Sequence, residues 1–441
     1  MLAVSGRTLQ AIAEAELARS PGSSETKLGA IHVLAALRRI EDDPAAAAAL
    51  VERGLALARD AEARREEAHL LLAQASIERE RGRGDAGQEL CRSALALLAR
   101  HGDERDRLAP FSSLAVIHLD AGQVELAADA FRSALTIARR AGDVIAEGTI
   151  LGHLANIAQQ QGRMEEAARL YDEALALHRT SGDRISEGVT IGNLATMAAD
   201  QGRFDDAGKL FEEAIAIHRE SAHRRFEGAA IGNLAILRKE QGRLAEADAL
   251  YEQALAIHRA MDDERSTGIV LGNLTQLRVL QGRWDDALDL CEQALRIQRR
   301  LGNKRLEGAF LADLADLYRD RGALPRAREA YDAAISLLSE VGDRRGEAQA
   351  KAGLAAWHRS APTGDLGIAW ELLDEAEAVL VGLGNTLELA KCLTARAQVA
   401  RARGLDPASY RERARAIAGA LGVAPGSPLS KAIAELDAAG A

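Results

Sequence analysis

Aromatic residues are scarce in this chain of 441 residues, where Phe, Trp and Tyr make up 3% of the sequence. Sheets favour aromatic and β-branched side chains, so this scarcity argues against a β-rich fold. Alanine, leucine and arginine are abundant instead, and all three favour helices. The composition therefore predicts helices that pack through small side chains.

Cysteine and long apolar runs are also rare. The three cysteines, Cys91, Cys291 and Cys392, are too few and too scattered for a disulfide framework. The sequence has no run of about 20 apolar residues that could span a membrane. Its first residues lack the cationic and apolar segments of a secretion signal. We therefore predict a cytoplasmic protein without a membrane partner.

No block of basic residues is present, and the formal net charge is −10. Acidic and basic residues instead alternate along the chain, as expected for solvated helix faces. A nucleic-acid-binding protein would normally carry a basic stripe. The charge pattern therefore argues against direct nucleic-acid binding.

One segment recurs at a step of 40 residues through most of the chain. Its clearest copy, residues 187–221, reads EGVTIGNLATMAAD and then QGRFDDAGKLFEEAIAIHRES. Most copies have two turn glycines, and glycine just past a helix is the usual left-handed stop. An Asp or Asn after the second glycine can cap the next helix. Each repeat is therefore predicted to form two helices of about 16–18 residues. The turn glycines are Gly82, Gly122, Gly162, Gly202, Gly242, Gly282 and Gly322, and Gly102, Gly142, Gly182, Gly302 and Gly342.

Residues at the same place in successive repeats form columns of similar character. Three columns are small and are represented in the clearest copy by Ala195, Ala207 and Ala214. A fourth column is large and contains five of the fourteen aromatic residues. We predict that the small columns are helix contacts and that the large column fills the core, with two buried thiols. The large column is Val51, Cys91, Phe131, Tyr171, Phe211, Tyr251, Cys291 and Tyr331.

This pattern of small and aromatic residues around a helical hairpin resembles the tetratricopeptide repeat, which usually has 34 residues. The 40-residue form resembles the longer repeats of the Leu-Gly-Asn repeat protein and kinesin light chain. It is also similar to the C-terminal arrays of bacterial signalling ATPases and maltose-regulator-type activators. The Leu-Gly-Asn triplet that gives the first of these proteins its name occurs at Leu271-Gly272-Asn273. Similar triplets occur at Ile191-Gly192-Asn193 and Ile231-Gly232-Asn233. The resemblance implies an all-α, right-handed superhelical solenoid of about ten helix-turn-helix repeats.

Three segments are expected. Residues 1–24 are predicted to be a capping or leftover half-repeat helix, 25–423 the repeat array, and 424–441 a linker and a C-terminal capping helix. A two-residue insertion in 360–364 shifts the columns, which resume at Ala369. The chain starts in mid-repeat, so its first helix is either a cap or the end of something longer.

In tetratricopeptide arrays the first helix of each pair lines a concave groove. Nine residues before the turn glycine, the column reads Ser113, His153, Asn193, Asn233, Asn273 and Asp313. Three consecutive asparagines resemble the ladder with which related arrays hold a peptide backbone, because an amide both donates and accepts. The alternative is that these amides bond within the protein or face water.

Glycine pairs four residues apart lie inside the same first helices. Each costs about 1 kcal/mol relative to alanine, so something must offset them. Two explanations for these glycines remain open, namely close helix packing and clearance for a ligand. The pairs are Gly148/Gly152, Gly188/Gly192, Gly228/Gly232 and Gly268/Gly272.

Other residues on the predicted groove face are polar or charged. The chaperone-type carboxylate clamp is disfavoured, because Gly152, Gly192 and Gly232 stand where one of its cations would lie. The acidic lean of the C-terminal half weakly favours a ligand with basic residues. The candidates are Asn156, Thr196, Asp200, Lys239, Glu240, Gln276, Asp313, Asp316 and Arg319.

No catalytic, cofactor or metal site is predicted. Residues 82–87 match a dinucleotide-binding G-x-G-x-x-G but lie on a turn between helices, not after a strand. His178, His218 and His258 form a column, but neighbouring repeats stand about 10 Å apart, too far for one metal. The sequence therefore predicts a non-enzymatic scaffold that binds a peptide or helix of a partner. The alternative is a sensor or autoinhibitory region of a larger signalling ATPase, kinase or transcription regulator, with a fused or partner signalling domain.

Overall fold

The computed structural model describes residues 13–14, 17, 23–40, 44–383, 386–420 and 428–438. Throughout these residues the regular structure is helical, with 21 α-helices and one short 3₁₀ helix. The helix predicted within residues 1–24 lies largely outside the described residues. The helices are α1 Ser24–Ile40, α2 Pro44–Asp60, α3 Arg64–Glu80, α4 Gly84–His101, α5 Leu108–Asp120, α6 Val124–Ala141, α7 Val144–Gln160, α8 Met164–Ser181, α9 Arg184–Asp200, α10 Phe204–Glu220, α11 Arg224–Glu240, α12 Leu244–Ala260, α13 Glu264–Leu280, α14 Trp284–Arg300, α15 Lys304–Asp320, α16 Leu324–Glu340, α17 Arg344–Ser360, α18 Leu366–Gly382, α19 Thr386–Ala402, α20 Ala408–Ala420 and α21 Pro428–Ala438.

Consecutive helices pack as hairpins. Helices α1–α20 form ten pairs, each an odd-numbered first helix against an even-numbered second helix, and α21 follows the last pair. The chain divides into two compact units, residues 1–160 with 165–181 and residues 161–164 with 182–441. The prediction of an all-α array of about ten tetratricopeptide-type helix pairs is confirmed.

The predicted columns form the cores of the pairs. Ala195, Ala207 and Ala214 have no exposed surface, and Phe211 is 3% exposed. Alanine at these positions lets the helix backbones approach, and the aromatic ring fills the space between them. Cys91 and Cys291 are fully buried, and burial raises the pKa of the Cys91 thiol to about 11. The predicted core columns and buried thiols are confirmed.

The turn glycines adopt the predicted left-handed conformation at most positions, including Gly202 at φ 73° and Gly242 at φ 74°. Gly102 is different, because its φ is −121° and its backbone is extended. Residues 104–107 after it form the 3₁₀ helix, and α5 starts only at Leu108. Pro110 explains this late start, since proline is tolerated only in the first turn of an α-helix. The prediction of a left-handed stop at Gly102 is therefore wrong.

The polar residues after the second glycine cap the following helices. In five repeats the side chain accepts a hydrogen bond from the backbone N–H three residues on, which satisfies one of the unpaired donors of the helix start. The accepting residues are Asp143 from Ala146, Asp183 from Ser186, Asp263 from Ser266, Asn303 from Leu306 and Asp343 from Gly346.

Helix α21 buries Leu429, Ile433 and Leu436. Leu429 and Ile433 share a cluster with Leu393 of α19 and Ala414 of α20. One apolar face of this helix is therefore turned inward, whereas the three segment boundaries stay a prediction. Among the described residues no helix is long and apolar enough to cross a membrane.

Candidate peptide-binding groove

The first helices of the second unit carry the asparagine column. We call the face of α9, α11, α13, α15, α17 and α19 that bears this column and its neighbours the unit-2 groove. Asn193 and Asn273 are half-buried, and Asn233 is exposed. Within the described part of the chain, no hydrogen-bond partner is present for these three side-chain amides. Their donors and acceptors are therefore available to a ligand.

The two glycine columns differ in what surrounds them. A Cβ added at Gly188 would lie 2.6 Å from the ring of His218, so that glycine is needed for close packing. A Cβ at Gly192 or Gly232 would have no atom within 4 Å. Gly272 is the exception in the open column, because Phe310 of α15 covers it. Packing therefore explains one column, and open space lies beside the asparagines in the other.

The histidine column fills the space left by the first glycine column. His178, His218 and His258 are at most 2% exposed. Gly148 and Gly228 lie under His178 and His258, as Gly188 does under His218. The packing interpretation of these histidines is confirmed.

The hydroxyls of Tyr171 and Tyr331, two tyrosines of the large column, form hydrogen bonds with residues of the predicted groove face. Tyr171 donates to Asn156 and to Gln159 Oε1, the latter at 3.0 Å. Tyr331 donates to Asp316 Oδ1 at 2.5 Å and accepts from Arg319 Nη1 at 2.8 Å. Three predicted groove residues, Asn156 in the first unit and Asp316 and Arg319 in the second, are therefore already bonded within the protein.

Tyr251 lacks the partner that its equivalents have. Ile236 stands where Asn156 and Asp316 stand in their repeats. The ring of Tyr251 is fully buried, and its hydroxyl has no hydrogen-bond partner among the described residues. Burial also raises its pKa. This hydroxyl is an unsatisfied donor beneath the groove surface.

Charges from distant repeats converge in the unit-2 groove. Burial, and then Asp316, raises the pKa of Asp313 to about 7, and Lys239 and Lys391 act in the opposite direction. Lys391 also lowers the pKa of Lys239, although these lysines lie on α11 and α19, which would be about 40 Å apart in a straight stack at ~10 Å per repeat. Because exposed charges are largely screened beyond about 10 Å, the second unit must curve around this face.

Individual candidates differ in their freedom to bind. Lys239 Nζ donates to Gln276 Oε1 at 3.1 Å, which ties α11 to α13, and burial lowers the Lys239 pKa. Thr196 Oγ1 donates back to the carbonyl of Gly192 at 3.1 Å. Burial raises the pKa of Glu240, and Asp200 adds to that rise. Asp200 and Glu240 are thus near one another on the exposed rim of α9 and α11.

His153 belongs to the first unit and is engaged in packing. Its ring stacks on Phe131 with 4.8 Å between centroids, and burial lowers its pKa. Within the predicted groove column, His153 is therefore a packed side chain, whereas the three asparagines that follow have no partner among the described residues.

Three cations of the unit-2 groove were not predicted from the sequence. Arg359 lies 40 residues after Arg319 and could have been found by the repeat step. Lys391 and Arg401 lie beyond the two-residue insertion, so the simple step misses them. In the described part of the chain, no group of three or more His, Cys, Asp and Glu side chains is placed to hold a metal ion.

Comparison with known proteins identifies the repeat family. A family model described as the MalT-like TPR region matches residues 193–419, which is more than half of the chain. The chain belongs to this family. A second model, described as tetratricopeptide repeat, matches residues 147–220. A search of curated proteins found no match.

Several solved structures are similar to this MalT-like TPR chain. Aspartyl phosphate phosphatase F from Bacillus subtilis is 12% identical with a TM-score of 0.52, over 79% of this chain and 92% of that one. A Rap protein complexed with competence and sporulation factor is 15% identical with a TM-score of 0.51, over 84% and 99%. A signal transduction ATPase with a tetratricopeptide repeat sensor from Pyrococcus horikoshii is 17% identical with a TM-score of 0.49, over 79% and 54%. At these identities the likeness concerns the fold alone.

Proposed function

We propose that this protein is a non-enzymatic interaction scaffold that binds an extended peptide segment of a partner in the unit-2 groove. The observation that carries the proposal is the asparagine ladder, Asn193, Asn233 and Asn273, whose amides have no partner among the described residues. The open space over Gly192 and Gly232 leaves room for a peptide backbone beside them. Each amide can donate to a peptide carbonyl and accept from a peptide N–H.

The test starts from a peptide selected from a random library on the intact protein. Its affinity is then measured by calorimetry for the wild type and for Asn193→Ala/Asn233→Ala/Asn273→Ala. Loss of three hydrogen bonds at about 1 kcal/mol each should weaken binding by about 100-fold. The control is Gln253→Ala, an exposed amide on second helix α12, which should leave the affinity unchanged.

A second measurement addresses the peptide backbone directly. If the ladder bonds the backbone, N-methylation of alternate peptide residues should weaken binding to the wild type, because each methyl removes a donor. It should have little further effect on the triple variant. Unchanged binding of the selected peptide to a folded triple variant would rule out the ladder.

A second candidate function is that of a sensor array acting on a signalling domain, either fused or on a partner. The family match favours it, because the matching model describes a region of MalT-like proteins. The reading frame upstream of this sequence provides a simple test. A continuous frame that encodes a nucleotide-binding or DNA-binding domain would support this function, and an independent unrelated gene would argue against a fused domain.

A further inference from the structure

A column of three arginines lines one end of the unit-2 groove. Arg319, Arg359 and Arg401 occupy the last turns of α15, α17 and α19, at equivalent places once the two-residue insertion is counted. Helix α17 packs against both α15 and α19. The three guanidinium groups therefore belong to adjacent helices on one face.

The three arginines differ in their partners. Arg319 Nη1 lies 2.6 Å from Asp316 Oδ1, and Nη2 lies 2.9 Å from Asp320 Oδ1. For Arg359 and Arg401, no ion pair or hydrogen bond to any described residue is present. Burial, Arg319 and Arg401 lower the pKa of Arg359, in keeping with the contacts of α17 with both α15 and α19. A cation in the last turn is favoured by the helix dipole, but the dipole does not explain why three adjacent first helices carry arginine at the same place while α9 and α13 do not.

The acidic residues of the groove do not neutralise this end. Asp313 faces Lys239 and Lys391, and Asp316 and Asp320 pair with Arg319. Glu388 of α19 pairs with Lys391 at 2.8 Å, and Asp200 and Glu240 lie at the opposite end on α9 and α11. The groove is therefore polarised, with unneutralised positive charge at the α17–α19 end.

We propose that the α17–α19 end of the unit-2 groove binds an acidic segment of the peptide ligand, with carboxylate side chains paired to Arg359 and Arg401. Arginine suits this role because its planar fork pairs with a carboxylate through two parallel hydrogen bonds. Such a ligand would also relieve the repulsion among the three guanidinium groups. The inference rests on the proposed function, since it specifies the chemistry of the peptide that occupies the same groove.

The test is selection of random peptides displayed at the N-terminus of a phage coat protein, which leaves no free peptide carboxylate. Peptides selected on the immobilised full chain should be enriched in Asp and Glu. Selection on Arg359→Glu/Arg401→Glu should instead enrich Lys and Arg. The control is Arg345→Glu/Arg296→Glu, which changes exposed arginines in the first turn of α17 and on second helix α14 and should keep the acidic preference.

A second variant, in which the two arginines are replaced by uncharged glutamines, keeps the test valid if the charge-reversed protein misfolds. An acidic peptide selected on the wild type should bind Arg359→Gln/Arg401→Gln at least about 10-fold more weakly, and this difference should shrink at high salt. Selected peptides without an acidic excess, or equal binding to the neutral variant, would overturn the inference and leave the scaffold function intact. If no peptide is selected at all, the scaffold function fails and the inference falls with it.

Discussion

At the scale of single residues, Tyr251 differs from Tyr171 and Tyr331 although all three occupy one column. Its hydroxyl has no hydrogen-bond partner among the described residues, and Ile236 occupies the place of the polar residues that bond the other two hydroxyls. A buried donor without a partner costs about 1–3 kcal/mol. This position therefore lowers the stability of the free protein.

We expect Tyr251→Phe to raise the free energy of unfolding by about 1 kcal/mol, because it removes an unsatisfied hydroxyl and keeps the ring. Tyr331→Phe is the matched control and should lower the free energy by about 1–3 kcal/mol, because Asp316 and Arg319 lose a partner. Thermal and urea unfolding measure both changes. Equal destabilisation by both substitutions would show that Tyr251 has a partner after all.

At the scale of one helix, two glycines of α9 four residues apart play different roles. Alanine at Gly192 meets open space and should stabilise the helix by about 1 kcal/mol through propensity alone. Alanine at Gly188 has the same propensity gain, but its Cβ would meet the ring of His218 at 2.6 Å. Overpacking of this kind costs about 1–3 kcal/mol, so Gly188→Ala should be the less stable variant. Thermal unfolding of both decides the matter, and stabilisation by both would mean that His218 moves aside freely.

The turns between helices offer a second comparison. Ala222 adopts φ 57° where most repeats place glycine, and Gly202 adopts φ 73°. A left-handed conformation costs a residue with a Cβ about 1–2 kcal/mol. Ala222→Gly should therefore raise stability by up to about 1 kcal/mol, and Gly202→Ala should lower it by about 1–2 kcal/mol. The midpoints of urea unfolding report both effects, and a loss of stability in Ala222→Gly or a gain in Gly202→Ala would contradict the turn geometry.

These elements show what the sequence could predict. Ala195, Ala207 and Phe211 were assigned to the core correctly, because a 40-residue step and turn glycines fix the phase of every helix. The roles of Gly188 and Gly192 could not be separated, since they depend on the side chain that another helix brings to each. The lone hydroxyl of Tyr251 was missed for the same reason, although Ile236 at the partner position was a visible signal.

At the scale of the second unit, the repeat step placed the asparagine column but not the whole charged end of the groove. Lys239, Asp313 and Lys391 come from repeats far apart in the chain, and their mutual influence follows from the curvature of the unit. A step from one repeat to the next contains no information on that curvature. The two-residue insertion also hid Lys391 and Arg401.

The carboxyl of Asp313 makes stability depend on pH in a predictable direction. Its pKa in the folded protein is about 7, and its ordinary value is 3.8. The folded state therefore holds the proton more tightly than the unfolded chain. This contribution to stability is fully present below the ordinary value and is lost as the pH rises through 7. Buried histidines such as His218, whose pKa is lowered by burial, act in the opposite direction as the pH falls below about 6.5.

Asp313→Asn isolates the carboxyl from the histidines, because both proteins keep every histidine. The amide resembles the protonated acid and extends the asparagine column by one residue. We expect the variant to be more stable than the wild type at pH 8.5, where the wild-type carboxyl is charged, and the advantage to shrink towards pH 5.5, where that carboxyl is protonated in the folded state. Unfolding midpoints measured side by side at several pH values test this. A difference that does not change with pH would mean that Asp313 ionises at its ordinary pKa, and that the groove surface around it is open to water rather than enclosed by the curve of the second unit.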